Sequence, residues 1–420
     1  MAGRIWTQSG VLLSGTGTGV RTVTGLPDKP RLVLFTTDLQ TATGFGGTAH
    51  FGYGWGAEQD DGTVAQACFQ ASGADAVATW ETRRTQQQLT TPRCIFVWDT
   101  PGAVHLLEAS FVSCDANGFA INVVANNTND QRIYWFALGG RSILNVKGGQ
   151  MVMTASAAPV DQTDSSLTFE PDLLLFLFAR RATDGSTTQI EHSFGMGGKG
   201  AATPPQWAIG MAANTGTTSL FASCRQQSDS IIVAPSPSSS VGAMECQVQL
   251  KNTASNGFTV TWVTKTATAS ALLSWLAIKG PLIKLAAVNK TTSAAPVDQD
   301  ISAPGFVVRG VMLASFGALT STSGVLDGRN SFGFSDGTNH GATWVWHTSG
   351  GTSVAKRSNI DTKAIRLATA PSTTDAEASV DLTAVVGGFR LTWSTNNAVA
   401  NELLYTAIGE TSTVPIFRGA

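Results

Sequence analysis

The chain has 420 residues and a formal net charge of −2, and charged residues make up only 13% of it, against about 25% in ordinary soluble domains. So neutral a chain carries no basic footprint for nucleic acid; Arg83-Arg84 and Arg180-Arg181 are isolated pairs. The longest apolar run, residues 173–179, is too short to span a bilayer. The N-terminus lacks the apolar core of a secretion signal, so the expectation is folding in a cytoplasm with no membrane partner.

The first stretch, residues 1–26, holds Trp6, Val11-Leu12-Leu13 and the run Ser14-Gly-Thr-Gly-Thr-Gly19. No Lys-Ser/Thr follows these glycines and no helical pattern begins, so they read as a turn between strands, not a phosphate loop. Pro27-Asp28 then leads into Leu32–Phe35, and two later stretches copy it: Phe169-Glu-Pro-Asp172 up to Phe178, and Ala303-Pro-Gly-Phe306 up to Leu313. Proline suits the entry of a strand, where its missing N–H costs no ladder bond.

Next comes Phe51-Gly-Tyr-Gly-Trp55, matched here with Phe194-Gly-Met196 and Phe332-Gly-Phe334. Period-two spacing puts the aromatics on one face. The preferred reading is a core stripe in which glycine admits a neighbouring strand. The alternative is a solvent-facing platform that stacks on host glycans, with Tyr53, Trp55, Trp98, Trp344 and Trp346 as its candidates. Further strands are read at residues 64–69, 206–211 and 343–346. Each third then reaches a Glu-x-x-apolar step: Glu108-Ala-Ser-Phe111, Glu245-Cys-Gln-Val248 and Glu377-Ala-Ser-Val380. With no partner acid or histidine evident in the sequence, these carboxylates are read as structural.

The organising unit is Asn117-Gly-Phe-Ala-Ile-Asn-Val123 followed by Ile133–Gly140. It returns as Asn256–Trp262 with Leu272–Gly280, and as Gly387–Trp393 with Leu403–Gly409. The opening strand alternates apolar residues, whereas its partner is apolar almost throughout, as expected where both faces are covered. The repeat core is therefore assigned to Phe119, Ile121, Trp135, Phe258, Val260, Trp275, Phe389, Leu391 and Tyr405. The heptapeptide Ser156-Ala-Ala-Pro-Val-Asp-Gln162 recurs identically at 293–299, and Gly118, Gly257 and Gly388 mark similar intervals. Spacing of this kind signals a repeat. The fold expected is all-β: three tandem antiparallel β-sandwich, jelly-roll-like domains over 1–140, 141–280 and 281–420. The short joins imply modules that pack on one another, either as a rod or around a pseudo-three-fold axis.

No cofactor or metal is called for. The five histidines form no HxH or HExxH pattern, and no Gly-x-Ser-x-Gly elbow is present. Asp161, Asp164, Asp298 and Asp300 could offer oxygen ligands to calcium, but they sit after a proline, where aspartate is a common turn residue. Cys68, Cys94, Cys114, Cys224 and Cys246 avoid the last third and are read as buried free thiols, with a Cys94–Cys114 bridge left open.

Phe169-Glu-Pro-Asp-Leu173, Glu108–Ser113, Asn117-Gly-Phe119 and Tyr134-Trp-Phe-Ala-Leu-Gly-Gly140 resemble repeats in structural proteins of tailed bacteriophages. The resemblance is weakest in the third copy. It implies a β-sandwich component of the virion exterior, assembled in the host cytoplasm, non-enzymatic and touching capsid or tail subunits or its own copies. Capsid decoration is the leading expectation, and a tail or fibre adhesin for host glycans is the alternative.

Overall fold

Phe119, Ile121 and Val123 alternate with small or polar residues, and that alternation builds a strand with one buried face. A computed structural model describes residues 5–47, 49–73, 80–85, 92–98, 105–183, 185–187, 190–213, 221–236, 243–265, 271–317, 324–348, 355–368 and 373–411. Among the described residues there are strands and no helix. In the first third the strands are β1 (Ile5–Leu13), β2 (Gly19–Thr24), β3 (Pro30–Thr37), β4 (Gly44–Gly47), β5 (Ala49–Glu58), β6 (Val64–Gly73), β7 (Trp80–Thr85), β8 (Ile95–Trp98), β9 (His105–Asp115), β10 (Gly118–Asn126) and β11 (Arg132–Gly140). A large antiparallel sheet runs β1-β11-β3-β5-β6-β7 and a small one β2-β10-β9-β8. The second and third thirds repeat both orders. In the large sheet β3, β5, β6 and β7 are successive hairpin neighbours. The structure is thus all-β with several antiparallel sheets, and these strand orders do not by themselves show the two Greek keys of a jelly roll.

In the first third the two sheets face each other across an apolar core. Val33, Phe35 and Trp135 of the large sheet meet Phe111, Phe119 and Ile121 of the small one. The other two thirds have equivalent cores. All nine residues assigned to the repeat core are buried. Their geometry repeats closely: Phe119–Trp135, Phe258–Trp275 and Phe389–Tyr405 each lie edge-on with centroids 5.4 Å apart, a favoured aromatic arrangement. The edge strand adjusts to that ring. Gly10 pairs with Trp135 and Gly149 with Trp275, and a Cβ there would lie 2.6 Å and 2.3 Å from the indole Cζ2. Opposite the smaller Tyr405 stands Ala286. All five cysteines are buried and unbridged, so Cys94 and Cys114 do not form the disulfide left open above.

Each large sheet gains a seventh strand from the next third. Gly185–Thr187 pairs with β7, Gly324–Leu326 with Ala222–Gln227, and β4 with Ala355–Ile360. The donation runs second to first, third to second and first to third, so the chain closes into a ring. The inner faces of the three large sheets then share one core. Phe35 pairs with Trp135 and Gly54, Phe176 with Trp275 and Gly195, and Leu313 with Tyr405 and Gly333. These registers put Tyr53, Phe194 and Phe332 on one level, with centroids 4.7 to 5.0 Å apart. They also resolve the match made from sequence: within Phe51–Trp55 it is Tyr53-Gly-Trp55 that corresponds to Phe194-Gly-Met196.

Replacing Gly149 with alanine is expected to destabilise the protein by about 1–3 kcal/mol, through the overpacking of Trp275. The double variant Gly149→Ala, Trp275→Tyr should recover part of that loss, because it copies the Ala286–Tyr405 pair. Denaturant unfolding of the three proteins checks both outcomes.

Candidate functional site

The first strand of each third is a sheet edge, and a bare edge exposes unpaired N–H and C=O groups. The ring covers these edges with the preceding third. Along β1, Ile5 N–H donates to Glu410 Oε2 (3.0 Å), Ser9 N–H to Asp336 Oδ2 (2.8 Å) and Ser9 Oγ to the Asn339 carbonyl (2.7 Å). Along Asn145–Val152, Val146 N–H donates to Asp60 Oδ1 and Gly148 N–H to Gln59 Oε1, both at 3.0 Å. Beside Leu282–Asn289, Trp207 Nε1 donates to Thr406 Oγ1 (2.9 Å), and Ile283 and Leu285 lie against Gly198.

Two of the three seams are also joined by the peptide chain. The seam between the first and third thirds is not, and it carries several polar contacts among the described residues. Thr36 and Thr343 hydroxyls bond at 2.8 Å, Asn359 Nδ2 donates to Asp38 Oδ1 at 2.8 Å, and Arg132 pairs with Asp361. Burial holds the Asp38 carboxyl above the usual range, against the opposing pull of Gln40, Arg357 and Asn359. Phe45, on the donated β4, lies edge-on to Trp344 at 6.0 Å, with the Arg366 guanidinium 5.1 Å from its ring centroid. A groove of about 660 Å³ opens on this seam, between Ile5, Trp6 and Pro27 of the first third and Val307, Leu382 and Val386 of the third. It lies where the third departs from the repeat. The hairpin turn 336–339 stands in place of the longer 198–205, and the turn 382–389 replaces the tight 116–117 and 255–256.

No family model matches this chain, and no curated protein does. The functional reading therefore rests on what the residues do in the structure.

Tyr53, Trp55, Trp344 and Trp346 are 1–5% exposed. This corrects the glycan-platform reading for those four: their faces are taken up by core packing and inter-sheet contacts. Trp98 stands on β8, and its side chain lies outside the described residues. The glutamate step is also rearranged. Glu108 meets Arg93 at 3.3 Å and also His105, a histidine the sequence reading did not connect with it. The strand registers equate Glu108 with Glu377 and with Gln247, not Glu245. Glu377 pairs with Arg366, while Glu245 takes Arg180 at 3.4 Å and Ser236 at 2.8 Å.

The repeated heptapeptide is accounted for by its hydrogen bonds. Gln162 Oε1 accepts from Trp262 Nε1 (2.9 Å) and Thr154 N–H, while its Nε2 donates to the Val152 carbonyl. Gln299 repeats all three bonds with Trp393, Thr291 and Asn289. In the first third Arg21 takes this place, donating to the Ser14 and Gly17 carbonyls. Asp161 accepts from Lys251 and Thr261, Asp298 from Arg390 and Thr392, and Asp300 from Arg390. Asp164 caps Ser166. No group of three or more metal-ligating side chains occurs among the described residues.

Removing the ring of Phe45 tests the seam that has no chain connection. Phe45→Ala is expected to cost about 1 kcal/mol in edge-on and cation–π contact. Hydrogen exchange should quicken in Gly44–Gly47 and Ala355–Ile360 while the pairing of β9 with β10 stays protected.

Proposed function

We propose that this chain is a non-enzymatic structural protein of a virion exterior, built as three β-sandwich modules fused into one pseudo-trimer. The observation that carries the reading is the closed exchange of strands around Tyr53, Phe194 and Phe332, which makes a single stiff body from three repeats. A body of this kind suits cementing, because each added contact to neighbouring capsid subunits stabilises the shell by mass action. The outer surface is consistent with that role. The small sheets turn Thr163, Thr259 and Thr261 and the Lys251–Asp161 and Arg390–Asp298 pairs to solvent, a polar face suited to reversible contacts between subunits. The groove on the open seam adds an apolar patch of the kind that marks protein contacts. With four of the five candidate aromatics buried, a glycan-binding role is not proposed.

Particles lacking the protein are expected to lose resistance to heat and osmotic shock, and adding back the purified chain should restore it. Unchanged resistance would reject cementing. A map of the particle should show one copy of the chain filling a three-lobed density.

A further inference from the structure

We propose that residues 412–420 turn back into the groove on the open seam, laying Val414, Ile416 and Phe417 against its apolar walls and strapping the last third to the first. The groove begins where the described chain ends. Val307 and Glu410 are ladder partners, Glu410 Oε1 pairs with Arg309 at 2.6 Å, and Glu410 Oε2 accepts from Ile5 N–H at 3.0 Å. Val307, Arg309 and Ile5 all line the groove. The chain past Thr411 therefore starts between a wall strand of the first third and one of the last. Fully extended, residues 412–420 reach roughly 30 Å, ample to lie along the groove.

The wall and the segment match in chemistry. Val386, in the turn 382–388, is fully exposed, and Leu382 and Val385 beside it are only partly buried. Apolar surface held in water is stabilised by a matching cover, at about 25 cal/mol for each Å² removed from solvent. The other two junctions show how this end of a seam is closed: the linking peptide crosses it, and Ile143 in one and Pro281 in the other are buried. No peptide crosses the third junction. Residues 414–417 read Val-Pro-Ile-Phe, apolar at each position, whereas residues 1–4, which also meet the groove at Ile5, hold one large apolar side chain, Met1. Pro415 restricts itself and Val414 to extended backbone, so less freedom is lost on docking. So short a tether gives an effective concentration on the order of millimolar, which favours the chain's own groove over that of a second copy. The strap belongs to the free chain and does not depend on the virion reading; a neighbouring subunit that used the groove would first have to displace it.

The test is a cross-link in the whole chain. Val386→Cys combined with Ile416→Cys should form an intramolecular disulfide with oxidised glutathione, read by peptide mapping of the monomer. The five native cysteines are buried and stay out of the reaction. Val152→Cys combined with Ile416→Cys, which uses an exposed position on the second third, should link at least about tenfold more slowly. Removing residues 412–420 should raise the fluorescence of an added apolar dye several-fold, and a peptide of that sequence, added back, should suppress the rise. The double variant Ile416→Asp, Phe417→Asp in the whole chain should copy the deletion, with circular dichroism confirming that each protein keeps its sheets. The proposal is overturned if the first cysteine pair links no faster than the control pair, or if it links only between molecules, which would make a second copy the occupant. It is overturned equally if neither the deletion nor the double aspartate variant changes dye binding.

Discussion

A sheet with two apolar faces and one small partner sheet has a face left over, and that surplus governs this protein. Strand β11 and its two counterparts are buried at nearly every position. One side meets the small sheet of the same third, and the other has only the remaining thirds to meet. Bringing three such faces together creates the shared core. The donated strands and capped edges then follow from the need to leave no ladder open at the rim.

The shared core is three-fold in plan and irregular in filling. At one level Trp55 faces Ala67, Met196 faces Trp207 and Phe334 faces Gly341 across their strand pairs. Bulk is shared differently between the two strands in each third, so each corner is filled by different residues. Close packing makes this kind of exchange tolerable. It also makes the thirds poor substitutes for one another. Two residues before Tyr53, Phe194 and Phe332 on the same strands, the same divergence has left Phe51 in the first third, His192 in the second and Asn330 in the last.

Much of this architecture was legible in the residues. Gly-Phe followed by alternating apolar positions announced the small-sheet strands. The unbroken apolar run after it announced a strand covered on both sides. What the second cover was could not be read, because periodicity reports that a face is buried and not by what. The aromatic stripe shows the limit well. Its burial was the preferred reading, yet Phe51-Gly-Tyr and Tyr53-Gly-Trp are equally good matches in sequence, and only the ladder register separates them. Glu245 misled through residue type alone: Glu108 and Gln247 stand at the same distance before Gly118 and Gly257, and the ladders of both thirds carry matching bulges. The short arm Gly44-Phe-Gly-Gly47 gave no warning at all, since three glycines carry no pattern and its partner lies some three hundred residues away.

The bond from Ile5 N–H to Glu410 Oε2 brings the first and last described strands side by side at the seam that no peptide crosses. The closed body thereby leaves the order of the thirds along the polypeptide open. A circularly permuted chain, joined across Ile5 and Glu410 and cut within either inter-repeat turn, would trace the same closed body. The topology belongs to the loop, and the chain is one way of writing it.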